Sequence, residues 1–282
     1  MNPPARVNAH GGGRLLSPLQ VWRSAIANRR LILDLTRRDI SGRYRGSAGG
    51  LFWAFITPLL MLAIYSFVFG YIFNARWTAE EMREVKFPIV LFVGLIFGNL
   101  LSECLTRGPG LIVAHPNYVK KVVFPLEILP WVAVGTALFH ALISVLVLLL
   151  AMLVTGTPIQ PTALFLPLVF FAFVPMLLGL TWLLAALGVY LRDLQQFVGI
   201  AATALLFLAP VFYPRTMLAE QYRWLLSLNP LTFVVEAARD LVLWGQMPSV
   251  TSVAGYLAAS MAVAWAGWCV FQVTRRGFAD VL

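Results

Sequence analysis

The stretch Thr36-Arg-Arg-Asp-Ile-Ser-Gly-Arg-Tyr-Arg45 runs directly into Gly46–Ala75, thirty residues that contain no Asp, Glu, Lys or Arg. An α-helix rises about 1.5 Å per residue, so roughly 20 apolar residues cross the hydrocarbon core of a bilayer. Gly46–Ala75 is therefore long enough to cross, and its arginine-rich flank is typical of a cytoplasmic membrane edge. This junction predicts an integral membrane protein.

The rest of the chain repeats this pattern. Of its 282 residues, 60% are hydrophobic and only 12% are charged, which is about half the charged share of a soluble domain. Four more charge-free runs follow, and a Gly/Pro turn at 155–161 divides the longest of them. We predict an all-α integral membrane protein with six transmembrane helices, near residues 52–73, 88–105, 130–154, 163–190, 195–212 and 252–273.

The positions of the basic residues predict the orientation. Six spans place both termini on one side of the membrane, and the segments on that side hold 15 of the 21 basic residues. Basic residues accumulate on the cytoplasmic side, so both termini are expected there. The net charge of +9 then reflects topology and attraction to anionic lipid. Nucleic acid is not expected as a partner, because the basic residues border the spans.

The chain before the first span divides into two parts. Residues 1–16 are rich in Gly, Pro and Arg and are expected to be disordered. Residues 17–48 carry apolar side chains at helical spacing with arginines on the other face. This pattern predicts a cytoplasmic amphipathic interface helix on the membrane surface, broken near Asn28, with packing on a soluble partner as the alternative. The six-span transmembrane domain then covers 49–282.

Two connecting segments are more apolar than solvated loops require. In the cytoplasmic loop 106–128, apolar residues surround Lys120-Lys121, which predicts a short docking helix that Phe124-Pro125 ends, with a plain connector as the alternative. In the external region 214–251, Asn229 can cap a helix that Pro230 begins. The apolar residues around it predict two re-entrant helices, and helices lying flat on the outer surface are the alternative.

Several kinds of chemistry have no motif in this sequence. It contains no G-x-x-x-x-G-K-[ST] phosphate loop, so this chain is expected to lack a nucleotide site and to hold no cofactor. The three histidines are far apart and lack paired cysteines, so no metal site and no catalytic residue are predicted. The spans hold almost no charge, whereas ion-coupled carriers keep ionisable residues near mid-membrane. A separate subunit is therefore expected to supply the energy.

Two polar residues lie at or inside the predicted spans. Glu103 sits at the end of the second span, where it either pairs with Arg107 one turn on or lines a cavity with Asn99 and Ser102. His140 lies within the third span, where it is either packed and hydrogen-bonded or part of a proton relay.

Three segments, in order along the chain, resemble the polysaccharide-export permeases of the type-2 ABC exporter class, and the O-antigen exporters most of all. They are Thr36-Arg-Arg-Asp-Ile-Ser-Gly-Arg-Tyr-Arg-Gly-Ser-Ala-Gly-Gly-Leu-Phe-Trp-Ala-Phe-Ile-Thr-Pro-Leu-Leu60, Asn117-Tyr-Val-Lys-Lys-Val-Val-Phe-Pro-Leu-Glu-Ile-Leu-Pro130 and Asn229-Pro-Leu-Thr-Phe-Val-Val-Glu-Ala-Ala-Arg-Asp240. The resemblance implies a homodimer in the bacterial inner membrane, joined to two cytoplasmic ATPase subunits. It implies a lipid-linked polysaccharide as the substrate.

The resemblance also implies roles for individual residues. Those implied to couple the chain to the ATPase are Arg37, Arg38, Asn117, Tyr118, Lys120, Lys121 and Phe124. Those implied to form an exit gate in the re-entrant segment are Asn229, Pro230, Glu236 and Arg239. Arg43 and Arg45 lie at head-group level, where they either grip the phosphates of the lipid carrier or only set the topology.

Aromatic side chains suggest a path for the glycan. We hypothesise that two sets line a channel at the homodimer seam, where weak stacking lets a polymer slide; the residues are Tyr65, Phe69 and Phe73 of the first span and Phe207, Phe212 and Tyr213 near the end of the fifth. The alternative is that these rings face lipid or form an interfacial belt.

Other functions remain open at this stage. Capsule and teichoic-acid exporters share the same plan, and a small-molecule exporter of the type-2 class is a further alternative. A membrane enzyme acting on glycolipids is a fourth, but it would need acidic residues clustered at one membrane face, and the cytoplasmic acids here are scattered.

Overall fold

The computed structural model describes residues 17–73, 86–120 and 124–282, and the predicted disordered tail lies outside them. All regular secondary structure in these ranges is helical, which confirms the all-α fold class. The helices are α1 Pro18–Ala27, α2 Arg29–Tyr44, α3 Trp53–Tyr65, α4 Phe87–Arg107, α5 Gly110–Val113, α6 Pro116–Lys120, α7 Leu129–Thr155, α8 Leu166–Tyr190, α9 Leu194–Leu208, α10 Arg223–Leu228, α11 Pro230–Arg239, α12 Val250–Thr274 and α13 Phe278–Val281.

Five of the helical stretches in the described ranges are long and apolar enough to cross a membrane. They are Gly50–Ile72, Phe87–Arg107, Leu126–Thr155, Pro161–Tyr190 and Val250–Val281. The predicted span 195–212 is different, because α9 has only 15 residues and is about 22 Å long. The prediction was wrong about its end: Ala209 precedes a proline, which disfavours helical backbone there, and Ala209 is extended at ψ 155°.

The surface segment forms two helices that separate at Asn28, where the sequence predicts a break. A series of edge-to-face tryptophans fixes α1 on the bundle. The ring centroids of Trp22 and Trp131 are 5.6 Å apart, those of Trp131 and Trp182 are 6.0 Å apart, and those of Trp182 and Trp268 are 5.2 Å apart. These pairs join α1 to α7, α8 and α12, so the surface helix is part of the packed structure.

Helix α4 is the centre of the bundle. Sixteen of its 21 residues are buried, as expected for a helix that is apolar on all sides. It contacts α7, α8, α9 and α11. The first span, by contrast, has only Ala54 and Leu62 buried within α3 and no buried residue in its π-helical continuation, Ser66–Ile72. The first span therefore leaves most of its apolar surface uncovered by the rest of the chain.

Helices α8 and α12 approach each other closely through two glycines. A Cβ atom added at Gly267 would overlap the carbonyl oxygen of Gly179, and one added at Gly179 would overlap the carbonyl oxygen of Val263. The backbones touch because neither glycine has a side chain, which is the common way for membrane helices to pack tightly.

This contact predicts a large effect from a small substitution. Gly267→Ala should lower the free energy of unfolding by about 1–3 kcal/mol, because the added methyl group must push two backbones apart. Gly255→Ala is the matched control, since Gly255 lies on the same helix with no atom within 4 Å of an added Cβ. Thermal unfolding of the detergent-solubilised protein measures both. Equal melting temperatures for the two variants would contradict the proposed packing.

Candidate functional site

A polar cluster joins the surface helix α2 to two membrane spans. The Asp39 carboxylate accepts hydrogen bonds from Arg107 Nη2 at 2.7 Å and from the Thr136 hydroxyl at 2.7 Å. Helix α2 lies close to α7 here, because Gly135 leaves room for Thr36, whose hydroxyl oxygen would be 3.1 Å from an added Cβ. Asp39 therefore links α2 to the end of α4 and to α7.

Glu103 is the centre of the second half of this cluster. Its Oε1 lies 2.8 Å from Arg43 Nη2 and 3.7 Å from Arg107 Nη1, and its Oε2 lies 3.0 Å from His140 Nδ1. The Tyr44 hydroxyl lies 3.1 Å from His140 Nε2. Arg43 Nη1 also lies 3.1 Å from His140 Nδ1, so Arg43 and Glu103 both contact one ring nitrogen and Tyr44 contacts the other.

The cluster is balanced in charge and crosses three helices. Two carboxylates, Asp39 and Glu103, face two guanidinium groups, Arg43 and Arg107. The Tyr44 hydroxyl is protonated at neutral pH, and burial raises its pKa further. The predicted pair of Glu103 and Arg107 is confirmed, and so is the packed, hydrogen-bonded position of His140.

The predicted phosphate-binding arginines differ in their surroundings. Arg43 points toward Glu103, although 41% of its side chain is exposed. Arg45 follows the end of α2, is exposed, and has no ion-pair partner within the described ranges. Arg37 and Arg38 are also exposed on α2. The structure thus leaves three of these arginines open to ligands or partners and ties the fourth to a span.

The predicted docking helix is the five-residue α6. Asn117 and Lys120 are exposed on it, whereas Tyr118 stacks on Phe124 with ring centroids 4.3 Å apart. Lys121 lies outside the described residues. Helix α6 contacts the C-terminal turn α13, whose Phe278 is fully buried. One side of α6 is therefore exposed and polar, and its other side packs on aromatic rings.

The two aromatic sets predicted for a channel both lie beside α4. Tyr65, Phe69 and Phe73 form a continuous series, and Phe69 also packs on Phe87 at the start of α4 with centroids 5.7 Å apart. Phe73 is 66% exposed.

The second set lies where α9 ends. Phe207 and Phe212 stack with ring centroids 4.9 Å apart, and the Tyr213 hydroxyl donates to the Phe207 carbonyl at 3.3 Å. Phe207 is 59% exposed, so this set, like the first, presents an aromatic surface outside the packed core.

The predicted exit-gate residues lie on or at the start of α11, whose last residue, Arg239, bonds to Val90 at the opposite end of α4 from α2. Asn229 caps α11, since its Oδ1 accepts from the Leu231 N–H at 3.0 Å, and Pro230 is the first helical residue. Glu236 lies 3.7 Å from Arg215. Asn229 also donates to the Leu205 carbonyl at 2.7 Å, which joins α11 to α9.

Arg239 is a buried charge that donates hydrogen bonds to backbone carbonyls. It is only 4% exposed, and its guanidinium donates to the carbonyls of Val90, Pro210 and Val211. Burial lowers the pKa of Arg239 to about 9, which leaves it protonated at neutral pH. Gly94 makes room for it, since an added Cβ would lie 2.9 Å from Arg239 Nη2.

Sequence reasoning missed Asp39 and the tryptophan series. The signal for Asp39 was present, because it is a carboxylate within a run of arginines, 37–45, beside a membrane span. The tryptophans are spread over four helices, and no local spacing relates them. No group of three or more metal-ligating side chains occurs within the described residues.

Comparison with known proteins agrees with this architecture. Residues 30–243 match the ABC-2 type transporter family. The chain is 29% identical over 267 residues to the O-antigen export system permease protein RfbA of Myxococcus xanthus, covering 93% of this chain and 99% of the relative. It is 25% identical to a Klebsiella pneumoniae protein of the same name, covering 89% and 95%. It is 29% identical to the polysialic acid transport protein KpsM of Escherichia coli, covering 78% and 84%.

The family match covers more than half of the chain and includes α2, the polar cluster and α11. The resemblance seen in the sequence is thereby confirmed, and the chain belongs to the ABC-2 type transporter family.

Proposed function

We propose that this chain is the membrane subunit of an ATP-driven exporter that moves lipid-linked polysaccharide, of the O-antigen type, across the bacterial inner membrane. The observation that carries the proposal is the nearly end-to-end similarity to an O-antigen export permease, 93% of this chain against 99% of the relative. The chain itself transports and does not catalyse a reaction in this proposal.

The proposed topology has six crossings with both termini in the cytoplasm. Five spans are long enough by themselves, and α9 supplies the short fifth crossing. Helices α10 and α11 then re-enter from the outside and return at α12. The excess of basic residues on the side of α1 and α2 supports this orientation.

The proposed energy source is a pair of ATPase subunits that bind ATP and Mg²⁺. They dock on the exposed face of α6, through Asn117, Tyr118, Lys120 and the undescribed Lys121, and on Arg37 and Arg38 of α2. The packing of Phe124 under Tyr118 supports this, because a docking helix must transmit force and not bend. The polar cluster then carries the movement of α2 to α4 and α7.

The proposed channel lies between two copies of this chain. The first span has room for a second copy of the chain, because the rest of the chain covers little of its surface. Tyr65, Phe69 and Phe73 would line the seam at this face, and Phe207, Phe212 and Tyr213 would line it beyond α9. The exit gate would form from Asn229, Pro230, Glu236 and Arg239.

Capsule polysaccharide is the second candidate substrate. The similarity to a polysialic acid transport protein favours it, although that match covers 78% of this chain against 93% for the O-antigen permease.

Deletion of the gene for this chain in its native host tests the proposed function. We expect lipid-linked glycan to accumulate inside the cells and surface polysaccharide to disappear, because no route across the membrane remains. Immunoblotting of surface glycan and extraction of the lipid-linked precursor measure both, with re-expression of the wild-type chain as control. Normal surface polysaccharide after deletion would refute the function. The lipid to which the exported glycan is finally attached distinguishes O-antigen from capsule.

Single substitutions separate the two roles of the arginines at head-group level. Arg45→Gln should reduce export several-fold by weakening phosphate binding, and leave the melting temperature unchanged. Arg43→Gln should also lower the melting temperature, since it removes the partner of Glu103. Glu103→Gln weakens the same pair together with the contacts of Glu103 to Arg107 and His140, and it keeps both arginines, so it sets the upper limit of the structural part.

Export rates and melting temperatures of the three variants, each assembled with its ATPase, decide between the roles. If Arg43→Gln and Glu103→Gln are alike in both measurements, Arg43 acts through the ion pair. Unimpaired export by Arg45→Gln would remove the phosphate role from Arg45.

A further inference from the structure

A polar cleft opens at the end of the bundle that carries α11. It consists of two adjoining cavities of about 560 Å³ and 220 Å³, and their combined size is typical of small-ligand sites. Arg215, Glu236 and Asp240 line both cavities. The larger cavity extends between α11 and α12 as far as Tyr256.

The charged groups of this cleft have unused hydrogen-bonding capacity. Neither the Glu236 nor the Asp240 carboxylate accepts a hydrogen bond from the parts of the chain that the structure describes, and Arg215 lies 3.7 Å from Glu236, beyond hydrogen-bond distance. Both carboxyl groups are partly buried, and this burial raises their pKa. A ligand with several hydroxyl groups would restore these hydrogen bonds.

The walls of the cleft combine this polarity with aromatic surface. Phe233 and Tyr256 stack with ring centroids 4.7 Å apart at the larger cavity, and Trp244 lines the smaller one. Aromatic surface beside carboxylates suits a sugar ring, which has both C–H faces and hydroxyl edges.

The charge around the cleft selects among sugars. Glu236 and Asp240 contribute two negative charges, and Arg215 and the underlying Arg239 contribute two positive charges. The site is therefore neutral overall. An acidic sugar or a phosphate would add a negative charge that no further arginine of the cleft neutralises, whereas an uncharged sugar ring would leave the site neutral.

We propose that this cleft binds uncharged sugar units of the polysaccharide at the exit side of the membrane. The proposal rests on the proposed function, because that function places α11 on the outer side and supplies a glycan there. Glu236 and Asp240 accept hydrogen bonds from ring hydroxyls and Arg215 donates to them. On α4, Val90 contacts Arg239 at the cleft and Arg107 contacts α2 in the polar cluster. These two residues are 17 positions apart, so the cleft lies about 25 Å from the polar cluster.

Binding of simple glycosides tests the cleft directly. The full chain in lipid nanodiscs is titrated with methyl α-mannopyranoside and methyl α-galactopyranoside, and with a methyl glucuronoside as the charged probe, by saturation-transfer NMR. We expect binding of at least one neutral glycoside and weaker binding of the charged probe. The double variant Glu236→Gln, Asp240→Asn should bind about tenfold more weakly, since it loses hydrogen bonds to charged groups.

Two further variants keep this test decisive. Glu220→Gln is the matched control, because Glu220 lies outside the cleft, is 89% exposed and pairs with Arg223, so its binding should equal that of the wild type. Ser227→Trp fills the cleft and leaves the carboxylates intact, and should abolish binding even if the double variant fails to fold. Absence of any neutral-glycoside signal from the wild type, or wild-type binding by Ser227→Trp, would overturn the proposal.

The same variants in cells lacking the chain separate this proposal from the proposed function. If the wild type restores export but binds no glycoside, the cleft proposal fails and the exporter function stands. If the wild type binds neutral glycosides but cells without it export normally, the function fails and the cleft stands as a sugar site.

Discussion

The structure depends on a constraint that membrane proteins share: a backbone carbonyl freed inside the bundle needs a donor from within the protein. Pro210 ends α9 and leaves the carbonyls of residues 210 and 211 without helical partners. Arg239 supplies the donors and reaches the Val90 carbonyl with the same guanidinium. One side chain thus bonds to the chain just after α9, attaches α11, and fixes both to the central helix. Arg239 therefore has a structural role, since it holds three segments together.

The central helix α4 is held at both ends by charged groups. Near its first residues it accepts a hydrogen bond from Arg239, and near its last turn Glu103 and Arg107 hold α2 through Arg43 and Asp39. Between these points it is buried and cannot bend without disturbing four neighbouring helices. In the proposed ATP-driven export, a displacement of α2 on one side would therefore reach the α11 side through a rigid element.

Much of this architecture could be predicted from the sequence, because lipid imposes strong rules. Charge-free runs located the spans, and Asn28 and Asn229 marked helix ends through local backbone chemistry. The error at the fifth span arose because hydropathy does not register how Pro210 acts on the residue before it. The partners of Arg43 and His140 could not be predicted, since they come from helices distant in sequence. The same applies to the cleft, whose lining comes from separate segments and shares no local pattern.

The length of α9 has a consequence for the lipid around the protein. Its 15 residues cover about 22 Å, whereas the hydrocarbon core of a bilayer is about 30 Å thick. Such hydrophobic mismatch is relieved by thinning the bilayer or by bringing polar groups inward. In the proposed six-span topology, the membrane beside α9 would therefore be thinner, or polar groups would lie deeper in it. If the proposed glycan leaves the protein beside α9, it has the thinnest apolar layer to pass there.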